Sequence, residues 1–119
     1  MVAILDFGAY GADMDTQQAA LRLEALGNPT RLSVYRMLVR AGDAGVSVGQ
    51  LQAALDIAPS TLSHHVKALV IAGLIQQERR STTLVCRARY DVMRDLVGFL
   101  VAECCVGSDC SVGAPSVAA

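Results

Sequence analysis

Apolar positions recur at helical spacing along most of the chain, and one stretch near its middle departs to a shorter period. Between Pro59 and Gly73, Leu62, Val66, Leu69 and Val70 fall at i, i+4, i+7 and i+8 and form one buried stripe of a helix. Ser60, His64 and Lys67 lie opposite that stripe, and Thr61, Ser63 and His65 flank it. Pro59 suits a first helical turn, and Gly73 suits the left-handed residue beyond the last. Upstream, Asp15 or Thr16 caps a helix to about Leu26, with Gly27 as its stop. Asn28 and Pro29 open a second helix to about Ala41 and Gly42, whose buried face is Leu32, Val34, Tyr35, Leu38 and Val39. Ser47-Val-Gly-Gln50 has capping-box spacing and starts a short helix to about Leu55, burying Leu51 and Leu55. Asp56-Ile57-Ala58 then turns the chain into the polar-faced helix. Two short helices joined in this way predict a helix-turn-helix.

After Gly73 the period changes. Leu74 to Arg79 and Thr82 to Arg89 read as two short strands around Arg80 and Ser81. A basic hairpin in this place is a wing. Asp91 caps a final helix to about Glu103. Its apolar residues (Val92, Met93, Leu96, Val97, Phe99, Leu100 and Val101) cover roughly 200° of the surface, wider than one contact needs. One side would pack on its own domain and the other on a partner subunit. The fold expected is mainly α with a small β-hairpin: a winged helix-turn-helix with a helical dimer interface from the first and last helices. Residues 1–14 are read as an N-terminal arm, 15–103 as the winged domain with its dimerisation helices, and 104–119 as a cysteine-containing segment and tail. There is no internal repeat.

Length and composition fit that outline. A chain of 119 residues makes one domain with a modest core. Its 53% hydrophobic content and mean hydropathy of +0.41 are high for a soluble monomer, which favours a subunit interface. No apolar run reaches the ~18 residues of a membrane span. The first fourteen residues have neither a basic start nor a long apolar centre, so they are not read as a secretory signal. The expected location is therefore cytoplasmic, with the four cysteines reduced at rest.

A net charge of −1 argues weakly against nucleic acid, but its distribution argues for it. Residues 59–90 carry Lys67, Arg79, Arg80, Arg87 and Arg89 against Glu78 alone, while the flanking segments are acidic. Phosphate binding depends on such a local patch more than on the total. Short hydroxyls, imidazoles and a single cation on one helix face reach base edges and phosphates, and no carboxylate there repels the backbone. The competing reading is an ordinary solvated face. Ser60, Thr61, Ser63, His64, His65 and Lys67 are the expected groove contacts, with Arg79 and Arg80 at the wing tip on phosphate. Arg87 and Arg89 are read as solvated arginines of a structural hairpin. The two histidines could instead ligate a metal, but their place on the recognition helix favours DNA.

Leu23-Glu-Ala-Leu-Gly-Asn-Pro-Thr-Arg-Leu32, Ser60-Thr-Leu-Ser-His-His-Val-Lys-Ala-Leu69 and Ala72-Gly-Leu74 together resemble the ArsR/SmtB family of winged-helix metalloregulators, over about residues 16–110. The resemblance implies a homodimer packed through its first and last helices, repression of a double-stranded operator, and release when an inducer binds. Two familiar inducer sites are missing. Val46-Ser-Val-Gly-Gln-Leu51 holds no Cys-x-Cys pair, and the last helix holds no histidine. The family's wing usually turns on a glycine, where this chain has Ser81.

What remains is Glu103-Cys-Cys-Val-Gly-Ser-Asp-Cys110. Soft thiolates select soft ions. Three of them without a histidine suit a trivalent ion with pyramidal coordination, arsenite or antimonite, whereas zinc prefers four ligands. Arsenic-responsive family members of one type have an adjacent cysteine pair and a third cysteine near the end of the last helix, and this segment looks similar. Cys104, Cys105 and Cys110 are the expected inducer ligands, and DNA binding itself is expected to need no cofactor. On an intact helix Cys104 and Cys105 would point about 100° apart, so the bound state requires the helix to end at or before Cys104. Cys86, in the second wing strand, is read as a small core residue. The function expected is a repressor released by arsenite or antimonite. The alternatives are a redox switch pairing Cys104 or Cys105 with Cys110, a response to cadmium, lead or zinc, and a metal carrier. An enzyme is not expected: no redox Cys-x-x-Cys motif and no phosphate-cradling glycine loop is present.

Overall fold

Capping chemistry sets where each helix begins. In the computed structural model, which describes residues 14–107, α1 (Thr16–Leu26) starts at Asp15. The Asp15 carboxylate accepts the Gln18 N–H at 2.7 Å, and the Gln18 side chain accepts the Asp15 N–H at 3.2 Å. Asn28 caps α2 (Pro29–Ala41) by accepting the N–H groups of Thr30 and Arg31 at 2.9 and 3.1 Å. A single 3-10 turn (Gly42–Ala44) and a short strand, β1 (Val46–Ser47), follow. Ser47 and Gln50 close the second capping box, at the head of α3 (Val48–Leu55). Asp56, left-handed with φ 51°, turns the chain toward α4 (Pro59–Ile71). Gly73, at φ +80°, ends that helix as expected. Strands β2 (Ile75–Arg80) and β3 (Thr83–Ala88) form the wing, and α5 (Tyr90–Val101) is the last described helix.

The sheet has three antiparallel strands in the order β1-β3-β2, with Cys86 of β3 opposite Val46 on one side and Gln77 on the other. Strand β1 has no signal in the sequence, because two residues carry no period. Gly45 explains the pairing. A side chain there would put its Cβ 2.6 Å from the Cys86 carbonyl oxygen, so only glycine lets the chain come alongside β3.

The core gathers Val34 and Leu38 of α2, Leu51 of α3, Leu62 and Leu69 of α4, and Leu74, Ile75 and Cys86 of the wing. A smaller cluster of Met14, Ala19 and Leu96, with Leu26 and Phe99 packed on it, ties α5 to α1. Four expectations need correcting. Val70 is 36% exposed and Leu32 43% exposed, because each sits at the edge of its helix's apolar stripe, beside a surface cleft. Asp91 is not the cap of α5. Arg89 holds that position without a side-chain cap, and Asp91 lies in the first turn, where a carboxylate complements the helix dipole. Finally, α5 ends at Val101, short of Glu103. Among the described residues, no helix is long and apolar enough to cross a membrane.

Candidate DNA-binding face and C-terminal thiols

Burial of Leu62, Val66 and Leu69 fixes the roll of α4. Ser60, Thr61, Ser63, His64 and Lys67 are consequently exposed, and His65 is half-buried on one flank. The two imidazole rings meet edge-on with centroids 5.8 Å apart. His65 also accepts a hydrogen bond at Nδ1 from Arg31 Nε of α2, at 3.1 Å. Burial, then the Arg31 charge and His64, hold the His65 pKa below its usual value, so this imidazole is neutral near pH 7. Arg31 carries no signal of this contact in the sequence. It lies 34 residues from His65, and no local pattern links the two.

The wing lies along the other flank. Ser63, Lys67 and Val70 share a cleft with Val48, Gln77 and Leu84. Arg79 lines a second cleft with Ser47, Gly49 and Thr83, beside the start of α3. Both tip arginines are exposed. Arg80 Nε lies 3.5 Å from Glu78, whose carboxyl is held below the usual range by a hydrogen bond from Arg87 and by the Arg80 charge. An exposed pair of this kind is weak and leaves Arg80 available to phosphate. Arg87 is structural, donating to Glu78 and to the Asp43 carbonyl, and Arg89 pairs with Asp91. Ser81 takes the left-handed conformation, at φ 60°, that glycine would adopt at lower cost.

At the other end of the domain, α5 gives way to successive turns. Cys104 N–H bonds to the Val101 carbonyl at 3.0 Å, and Cys105 is left-handed at φ 60°. That reversal brings the Cys104 and Cys105 sulfurs to 3.5 Å, where a continuing helix would splay them. Cys105 is disulfide-bonded, which corrects the expectation that all four cysteines are reduced, while Cys86 and Cys104 are thiols. Cys110, the third expected ligand, lies outside the described residues. Among the described residues, no group of three His, Cys, Asp or Glu side chains could hold a metal ion. Cys86 stands apart in the core at 0% exposure. Burial pushes its thiol pKa up, against a small opposing contribution from Gln77, whose amide nitrogen is 3.8 Å from the sulfur.

A helix-turn-helix with a polar, carboxylate-free second helix beside a basic two-stranded wing defines a DNA-binding transcription regulator. Residues 26–78 match the helix-turn-helix domain family. The chain is 29% identical over 86 residues to the HTH-type transcriptional regulator YgaV of Escherichia coli strain K12, covering 72% of this chain and 81% of that protein. It is 32% identical over 88 residues to the biofilm growth-associated repressor of Agrobacterium fabrum, covering 74% and 73%. Among solved structures, an ArsR family transcriptional regulator superposes with a TM-score of 0.66 at 22% identity, over 76% of this chain and 90% of that one. The transcriptional repressor BigR of Xylella fastidiosa gives 0.58 at 28%, over 75% and 88%. The chain belongs to the ArsR family of transcription regulators.

Proposed function

We propose that this chain is a homodimeric repressor that leaves its operator when arsenite or antimonite binds the thiolates of Cys104, Cys105 and Cys110. The observation that carries the reading is the 3.5 Å approach of the Cys104 sulfur to that of Cys105, whose disulfide must be reduced before its thiolate can bind the ion. Two thiolates on one ion, with bonds of about 2.3 Å, place their sulfurs about 3.3–3.8 Å apart. The three reduced thiols would displace the three hydroxides of arsenite, each thiol proton leaving in a water molecule. Two relatives named as repressors support the sign of regulation. The dimer contact is assigned to the exposed Leu21 and Leu23 of α1 and Leu100 and Val101 of α5. Rewinding the end of α5 would then tilt one subunit against the other and misplace one recognition helix relative to its half-site.

The disulfide at Cys105 favours a second reading, a thiol redox switch. There, two thiols lose two electrons and two protons to a peroxide, which leaves as water. Replacing Cys104, Cys105 or Cys110 with Ser tests both readings. Each variant should keep operator binding and lose release by arsenite. Release by peroxide alone, in reduced protein that ignores arsenite, would transfer the switch to the redox chemistry.

A further inference from the structure

Arg31 lies on α2, outside the paired helices α3 and α4, yet reaches α4. It is the third residue of α2, and its backbone N–H is held by the Asn28 side chain at 3.1 Å, so its starting point is fixed. Its Nε–H donates to His65 Nδ1 at 3.1 Å. A ring nitrogen that accepts carries no proton, so this bond selects the neutral imidazole with its hydrogen on Nε2. The bond uses one of the five guanidinium N–H groups. Among the described residues, no carboxylate lies within pairing distance of Arg31.

The position of the pair gives it meaning. A helix in a major groove ~12 Å wide is flanked by two phosphate backbones. Lys67 and the wing arginines lie toward one flank, since Ser63, Lys67 and Val70 share a cleft with wing residues Gln77 and Leu84. On the opposite flank, a cleft lined by Ala68, Ile71 and Ala72 of the α4 end also contains Arg31, with Leu21 and Glu24 of α1. Among the described residues, Arg31 is the only cation lining it, and Glu24 is its only carboxylate.

We propose that Arg31 is both a DNA-contact and a positioning residue. Its outer guanidinium N–H groups take a backbone phosphate on the flank away from the wing, and its Nε–H fixes His65 as an Nε2–H donor. This rests on the reading that α4 enters the groove. The test is fluorescence anisotropy of the full chain at several salt concentrations, on a labelled duplex from upstream of its own gene and on mixed-sequence calf thymus DNA. Arg31→Ala should weaken binding about tenfold on both DNAs and reduce the slope of log affinity against log salt by about 1. Arg31→Lys should restore the slope, because the charge returns. Combining Arg31→Ala with His65→Ala should cost less than the sum of the two single changes. An unchanged affinity and slope in Arg31→Ala and Arg31→Gln, with thermal melts showing both folded, would overturn the proposal. Parallel titrations of His64→Ala and Lys67→Ala separate the two levels. If these weaken binding and the Arg31 variants do not, only the Arg31 assignment fails. If none weakens it, the groove reading fails with it.

Discussion

Arg22 Nε of α1 donates to the carbonyl oxygen of Ala72, the residue that ends the recognition helix, at 3.2 Å. The bond satisfies a terminal carbonyl that has no partner within its own helix. It also joins two ends of the molecule. Helix α1 and the Met14 that precedes it pack on α5 through Met14, Ala19, Leu26, Leu96 and Phe99, and α5 leads directly into Cys104 and Cys105. A shift at the thiols can therefore reach α4 through α1 without crossing the main core.

Arg22→Ala tests that route. Loss of the bond should cost about 1–2 kcal/mol of stability, seen as a lower thermal midpoint. Operator affinity of the inducer-free protein should change little. The ratio of operator affinities without and with arsenite should shrink from a coupling of about 5–150-fold to a few-fold. An undiminished ratio would show that the signal bypasses Arg22.

Cys86 should behave as core and not as chemistry. Its raised pKa and zero exposure keep it a thiol at neutral pH, so iodoacetamide should not label it in the native reduced protein but should label it after denaturation. Cys86→Ser buries a hydroxyl between Val46 and Gln77 and should cost about 1–3 kcal/mol. The response to arsenite should survive. Loss of induction in a folded Cys86→Ser protein would contradict the separation of core cysteine from site cysteines.

Stability should also fall on mild acidification. The folded-state pKa of His65 is depressed, so the unfolded chain binds this proton more tightly. The stability that His65 contributes is complete above about pH 6.5 and is lost as pH drops from there toward the folded-state value. The depressed carboxyl of Glu78 acts at lower pH, below its ordinary value of 4.5. Urea midpoints at pH 7.5 and 5.5 should therefore differ more for the natural protein than for His65→Gln. An equal drop in both would assign the acid sensitivity elsewhere.

Most of the fold was legible because its signals are local. Asp15 with Gln18, Asn28 with Pro29 and Ser47 with Gln50 mark helix starts through side chains that bond their own backbone within three residues. Where such a signal was read without its context, it misled. Asp91 looked like a cap but is the second residue of the helix, because Arg89, which follows the end of β3, already holds the cap position. The polar face of α4 followed from the apolar stripe that fixes its roll. Arg31 and Arg22 did not, since each meets α4 across the tertiary fold. Strand β1 depends on a close approach permitted by Gly45, visible only once β3 is in place. The sulfur pair was legible as composition, and its convergence depends on the left-handed backbone at Cys105.

If the C-terminal thiols switch DNA binding, arsenite must act directly on the protein–DNA complex. The most direct measurement is fluorescence anisotropy of the fully reduced protein on a duplex from upstream of its own gene, titrated with arsenite, with zinc and cadmium in parallel. Release is expected at stoichiometric arsenite, with none from zinc and none by arsenite in Cys104→Ser. Tight DNA binding that stoichiometric arsenite leaves unchanged would contradict the thiol switch.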